Sequence, residues 1–337
     1  MLIKKILAII WVLGILFLTG CYDNREIDTL GNVLAIGVEE GSPGARLYTF
    51  AIGNVGGDGS ESSGDGASLV CYSAEGKDIS DAVDRVDRRI SKKLSFAHTS
   101  QILFSSEIAR EDVYGEALFL DKDYKVRPQL AMSVINHSPR DYLTRITPQL
   151  EPNADMYFQR IFTSSDVYVS NMRLMDFLNA YRCGFTVIAP IISVHTDKDK
   201  ITEEDTGVTG SVLFYRGKSV KNVGDNPFMG LFYSRNKVKY RGNTLESLRR
   251  PVVKLDLKKG ITSIEIAIKT DRDFDVAKAE DEAEKFLTEL SREGIDAVNT
   301  LYFARKEFIF AKNYESLNHN ELIKNMKFNV TIIKEDG

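Results

Sequence analysis

Past residue 30 the chain alternates short apolar stretches with charged turns, and the spacing inside each stretch assigns it. The runs 32–39 (NVLAIGVE) and 45–54 (ARLYTFAIGN) are strand-like and are joined by the turn EGSPG. Residues 55–67 are rich in glycine and serine, have little to bury, and predict a loop. Extended structure resumes over 69–76 (LVCYSAEG). From Asp78 onward, Ile79, Ala82, Val83, Val86 and Ile90 recur at three- and four-residue spacing. That spacing predicts an amphipathic helix with arginines and lysines at its C-terminal end, as the helix dipole favours. Strands over 94–104 and 127–136 and helices over 108–120 and 138–146 follow, with Ser138 as N-cap and Pro139 at the first helical position. His98 falls mid-strand in this reading, as a hydrogen-bonded structural imidazole.

Residues 151–162 and 172–184 read as helical, and the charged, turn-rich stretch 197–207 (DKDKITEEDTG) marks a boundary. Beyond it, 208–220 predicts a hairpin turning at Arg216-Gly217, and 251–270 a second one turning near Lys259-Gly260. Val276, Ala279, Ala283, Phe286, Leu287 and Leu290 form one helical stripe stopped by Gly294; a helix over 296–308 and a closing strand from 326 complete the chain. The expected fold class is α+β: a multidomain chain of mixed sheets with packed helices. It comprises an N-terminal mixed α/β unit over 31–195 and a C-terminal hairpin-plus-helix α+β unit over 206–337.

The first thirty residues belong to neither unit. Lys4 and Lys5 precede an unbroken apolar run of thirteen residues, Ile6 to Leu18. A membrane-spanning helix needs about 20, so the pattern is that of a secretory signal peptide. Its end, Leu18-Thr19-Gly20-Cys21, resembles the lipobox of bacterial lipoproteins. In that chemistry the Cys21 thiol receives a diacylglyceryl group and the chain is cut between Gly20 and Cys21. Residues 1–20 are then discarded and 21–30 become a tether. Two acyl chains hold a protein on a bilayer far better than one.

Composition sharpens this picture mainly by exclusion. Charged residues are 27% and apolar residues 43% of 337, as in globular proteins with proper cores. Without Lys4 and Lys5 the 44 basic residues become 42 against 48 acidic, a net of −6. Bulk charge therefore gives no basis for binding nucleic acid or anionic lipid, local patches aside. Cys71 and Cys183 remain after Cys21; free buried thiols are favoured, with a bridge between them left open. No P-loop, dinucleotide fingerprint, EF-hand, CxxC or G-x-S-x-G pattern survives inspection. None of His98, His137, His195 and His319 has a partner at metal-ligand spacing. The expectation is a binding or assembly module, not an enzyme, with no metal and no cofactor.

The stretch 20–39 (GCYDNREIDTLGNVLAIGVE) resembles the mature N-terminus of the Ger(x)C spore germination lipoproteins: Gly-Cys, an aromatic, Asp-x-Arg-Glu-Ile, then a strand containing Ala-Ile-Gly. Residues 74–111, 121–136, 177–192, 206–223 and 328–337 resemble later segments of the same family in the same order. The resemblance implies the C subunit of a nutrient germinant receptor, lipid-anchored through Cys21 on the outer face of the inner spore membrane. It implies integral-membrane A and B subunits as partners, and leaves direct small-molecule binding by this subunit open. Tyr22, Asp23, Arg25 and Glu26 are the residues expected to dock the tether on the folded body or on a partner. The alternative reading is a substrate-binding lipoprotein of an importer, which needs two βαβ-rich lobes; the hairpin-rich C-terminal half argues against it.

Overall fold

The computed structural model describes residues 29–53, 69–124, 126–151, 154–161, 172–233, 237–256, 259–270, 273–302 and 319–335. In chain order, β1 (Leu30–Glu40) and β2 (Arg46–Gly53) pair antiparallel across the expected turn, and β3 (Leu69–Gly76) adds to β2. Helix α1 (Ile79–Asp87) buries Ile79, Ala82, Val83 and Val86, and Asp78 caps it by accepting the Asp81 amide at 2.9 Å. It stops before the basic residues 88–93, which the helical spacing had included.

Two further expectations are corrected. The stretch 94–104 is not one strand but β4 (Lys93–Ser95) and β5 (Gln101–Ser105). The break arises because Thr99 and Ser100 turn aside to β1: Thr99 Oγ1 donates to Val33 O at 2.9 Å and Ser100 N to Leu34 O at 2.8 Å. His98 therefore sits exposed in a turn, where its Nδ1 accepts from Arg127 Nη2 at 3.4 Å, and not mid-strand. The helix expected over 108–120 is likewise split into α2 (Ser106–Ala109) and α3 (Tyr114–Lys122). Just before the restart Asp112 Oδ1 accepts the Tyr114 amide at 2.9 Å.

Then come β6 (Ala131–Ile135), α4 (Pro139–Arg145), α5 (Ala154–Arg160), β7 (Met172–Arg173), α6 (Leu174–Cys183) and β8 (Thr186–Val194). Ser138 caps α4 as expected, with Pro139 in its first turn. Strand β8 runs through Pro190, which lacks a donor, but its ladder to β6 begins one residue later at Val134↔Ile191. Strands β9 (Thr206–Tyr215) and β10 (Lys218–Gly224) form the hairpin at Arg216-Gly217, both residues at positive φ. That hairpin, grouped on sequence grounds with the C-terminal unit, hydrogen-bonds along the whole of β8.

The result is one ten-stranded mixed sheet in the order β10-β9-β8-β6-β5-β1-β2-β3, with β4 beside β1 and β7 beside β6. Strands β1, β5, β6 and β8 are parallel, and their continuous apolar runs are buried on both faces. Helices α1, α3 and α6 cover one face; α4 and α5 cover the other.

The rest of the chain builds a second sheet. Helix α7 (Pro227–Phe232) and the hairpin β11 (Lys237–Tyr240) and β12 (Asn243–Ser247) occupy a stretch the sequence pattern left unassigned. Strands β13 (Val252–Asp256), β14 (Ile261–Thr270) and β15 (Lys327–Lys334) join β11 and β12 in five strands, β15 lying parallel to β14. Helix α8 (Val276–Arg292) seats Ala279, Ala283, Leu287 and Leu290 on this sheet, and Gly294 at φ +83° ends it as expected. A short α9 (His319–Lys324) precedes β15. Of the helix expected over 296–308, residues 300–302 are helical and the remainder lies outside the described residues. Ile188 and Leu213 of the large sheet share a core with α7, α8 and the second sheet. Asn299 ties the join, accepting the Thr186 amide at 2.7 Å and donating to Thr186 O at 3.1 Å.

Cys71 and Cys183 are both free thiols, but only Cys71 is substantially covered; Cys183 is exposed, against expectation. The Cys71 thiol donates to Leu143 O at 3.2 Å, and burial pushes its pKa up to about 12. Because the thiolate is the reactive form, a thiol reagent at pH 8 should label Cys183 within minutes and Cys71 only after unfolding. Mass spectrometry of the alkylated native protein checks this; equal labelling of both would contradict the cover that α4 gives Cys71.

Candidate functional site

The residues singled out for lipidation, cleavage and docking, Gly20, Cys21, Tyr22, Asp23, Arg25 and Glu26, lie outside the described residues, as does the loop 55–67. What the structure does show is where the tether would enter the fold. Leu30, Gly31 and Asn32 at the start of β1 pair in parallel with Lys93, Leu94 and Ser95.

The opposite end of the parallel strands holds a crevice. Its origin is topological. After β5 the chain turns into α2, whose Ile108 and Ala109 join the core of one face; after β6 it turns into α4, whose Tyr142 and Leu143 join the other. Adjacent strands that discharge to opposite faces leave a gap beyond their carboxyl ends, the usual ligand position in open α/β sheets. Here the gap is about 610 Å³ and is lined by Glu39, Glu40, Ser106, Arg110, Asn136 and Ser138, among others.

Its polar groups are held by two sets of hydrogen bonds. Glu39 Oε2 accepts from Ser138 Oγ at 2.7 Å and from the Arg140 amide at 3.0 Å, tying the end of β1 to the start of α4. Ser106 Oγ donates to Asn136 Oδ1 at 3.2 Å, and Asn136 Nδ2 donates to Ser193 Oγ at 3.3 Å. His137 and Arg145 both engage Asp141. Partial burial acts to raise the Asp141 carboxyl, but hydrogen bonds from His137 and Arg145 outweigh it and hold the group below the usual carboxylate range. Chemically the crevice offers carboxylate and amide acceptors with one guanidinium, a setting for hydroxyl or amino groups of a small polar molecule. No group of three or more His, Cys, Asp or Glu that could hold a metal occurs among the described residues. Replacing Glu39 with alanine removes two hydrogen bonds to a charged acceptor and should cost about 2 kcal/mol. A shift in the urea midpoint measures that loss, and an unchanged midpoint would show Glu39 to be idle.

Sequence reasoning did not single out Glu39, Arg110 or Asn136. Each lies at a strand or helix end with no motif spacing, and only the strand order brings them together. A cavity of about 220 Å³ between the sheets, walled by Phe185, Phe232 and Tyr233, and another of about 250 Å³ beside Asp296 were equally invisible. The Asp296 carboxyl turns inward, where burial raises its pKa against the opposing pull of the Leu301 and Thr300 amides.

The family described as "Spore germination protein N-terminal domain" matches residues 23–194, which is half of the chain. The chain belongs to this family. The match takes in residues 23–29, the parallel strands and the crevice. A relative, Spore germination protein KC of Bacillus subtilis (strain 168), is 25% identical over 259 residues, covering 70% of this chain. The aligned part spans 63% of that relative's length. The crystal structure of the GerBC protein aligns over 89% of this chain and 97% of that one, with a TM-score of 0.45 at 14% identity. The spore germination family read from the sequence is thus the one to which the chain belongs.

Proposed function

We propose that this chain is the lipid-anchored subunit of a spore nutrient germinant receptor, held on the outer surface of the inner spore membrane and assembling with integral-membrane A and B subunits. The observation that carries the reading is the family match beginning at residue 23, two residues after the cysteine of Leu18-Thr19-Gly20-Cys21. A relative named as a spore germination protein supports the same assignment. Among the described residues no helix is long and apolar enough to cross a membrane, and in this reading attachment falls to acyl chains on Cys21. A tether of this kind confines the body to a surface and raises its effective concentration beside membrane partners. Its role is assembly and support of signalling, with no chemical step assigned to it.

The experiment is affinity purification of the chain from solubilised spore membranes. Recovery of two multi-span membrane proteins, and a Cys21 carrying a diacylglyceryl mass, are the expected results. A chain recovered alone, with Met1 retained, would overturn the reading. Asp23, Tyr22, Arg25 and Glu26 are proposed to dock the tether. Replacing Arg25 and Glu26 together with alanine should lower receptor abundance severalfold; unchanged abundance and germination would rule out docking by these side chains.

A further inference from the structure

The tether end of the large sheet carries a feature that neither the core nor the crevice explains. Residues 88–93 read Arg-Arg-Ile-Ser-Lys-Lys, four cations in six positions with no acid among them. All four are exposed. Arg89 is used by the fold, donating to Ser73 O at 2.6 Å and Arg85 O at 3.2 Å. The side chains of Arg88, Lys92 and Lys93 make no hydrogen bond or ion pair among the described residues. The acids of the preceding helix are turned elsewhere: Asp78 caps its N-terminus, Asp81 holds Arg85, and Asp87 accepts the Leu94 amide at 3.0 Å. Asp84 is the remaining acid of the helix, one turn back from Arg88.

A helix dipole accounts for Arg88 and Arg89 at a C-terminal end. It does not account for Lys92 and Lys93, which lie beyond the helix and stand beside the point where the chain enters the fold. Lys93 pairs with Leu30 in the β4–β1 ladder, and Lys92 Cβ lies 3.7 Å from where a Cβ on Gly31 would be. Nine residue steps separate Leu30 from Cys21, a covalent reach of at most about 32 Å. With Cys21 at the bilayer, these cations, unpaired among the described residues, stand beside the strand start that the anchor holds within that reach of the headgroups. Clusters of four or more Lys and Arg beside a membrane attachment draw anionic lipid at close range, each cation strengthening attraction about fivefold. The interaction fades over a Debye length, about 8 Å at physiological salt.

We propose that Arg88, Lys92 and Lys93 form a contact surface for anionic phospholipid headgroups, which turns the tether end of the large sheet onto the bilayer. The proposal rests on the lipid-anchor reading for its geometry. In this arrangement the acyl chains supply attachment and the basic cluster supplies orientation, so that the crevice at the other end of the parallel strands faces away from the membrane.

The test uses the full mature lipidated chain reconstituted on vesicles of phosphatidylcholine alone or with about one-third phosphatidylglycerol. An amine-reactive reagent reads the exposure of Lys92 and Lys93, with Lys198 and Lys259 as internal controls. The expected result is attachment to both vesicles, with labelling of Lys92 and Lys93 slowed about fivefold on anionic vesicles only and restored by 0.5 M salt. R88E should stay attached and folded, with its controls labelling as before, while the protection of Lys92 and Lys93 on anionic vesicles falls towards the level seen on phosphatidylcholine alone. Equal labelling on both vesicles, or protection on both, would overturn the charge contact while leaving the anchor intact. Should Cys21 prove unmodified, the anchor reading fails separately. Flotation of that same chain then decides the contact: binding to anionic vesicles alone supports it, and binding to neither refutes it.

Discussion

Gly37→Val should destabilise the protein by about 3 kcal/mol, the upper end of what overpacking a core costs. Gly37 lies in the middle of β1, between β5 and β2, and α4 rests directly on it. A Cβ at this position would stand 2.8 Å from Pro139 Cβ and 3.1 Å from Leu143 Cδ1. Neither side can yield easily. The proline ring is rigid and sits in the first turn of α4, Glu39 pins that turn to the strand, and β1 is bonded on both edges. Gly37→Ala should lose about half as much. The sign is informative because glycine inside a strand is ordinarily a weakness that alanine relieves. Gly207 in β9, with nothing within 4 Å of its would-be Cβ and no positive φ, is the control, and Gly207→Ala should be neutral or slightly stabilising. Urea midpoints at constant slope provide the measurement. A Gly37→Val protein with a wild-type midpoint would mean that α4 does not seat on β1.

Arg46→Met should cost a similar amount for an electrostatic reason. Arg46 opens β2 and forks across to the start of α3, pairing Glu116 through one nitrogen and Glu111 Oε2 at 2.8 Å through the other. Glu116 is 6% exposed and, among the described residues, otherwise holds only the Tyr48 hydroxyl, at 3.0 Å. Burial, together with the Glu116 charge, keeps the Tyr48 hydroxyl protonated far beyond its usual range, so it remains a donor. Removing the guanidinium strands a buried carboxylate with one neutral partner, which costs about 3 kcal/mol or more. Arg46→Lys should fall between, because an ammonium cannot bridge two acids as a planar fork does. Glu116→Gln in the Arg46→Met background should recover part of the loss, since an amide tolerates burial without a cation. Glu111, more than half exposed, should matter little: Glu111→Gln should move stability by less than about 0.5 kcal/mol.

The parts of the fold that the pattern made legible are those where local chemistry and burial agree. Ile79, Ala82, Val83 and Val86 announce α1; Ser138-Pro139 announces α4; Gly294 announces the end of α8. The misread parts are those where a tertiary partner overrides the local signal. Thr99 and Ser100 look like strand residues until their bonds to β1 break the strand. The α7–β12 stretch carries the same Arg-Gly turn as the first hairpin, at Arg241-Gly242, both at positive φ, but its apolar run is short enough to pass for a loop. The glycine of Ala35-Ile36-Gly37 shows the remaining case: the residues drew attention as part of a family resemblance, and the physical need for that glycine became visible only once α4 lay over it. The crevice was beyond reach of any linear pattern, because it is made by two neighbouring strands sending their chains to opposite faces.

The hairpin that continues the large sheet past β8 has a practical consequence for anyone dissecting this protein. The family match ends at residue 194, an inviting place to cut. A fragment ending there would lose both β9 and β10, leaving one whole edge of the nine-residue β8 unpaired. Unsheltered borders of that length recruit other strands, so such a fragment would self-associate, whereas one carried through Gly224 would keep its rim closed.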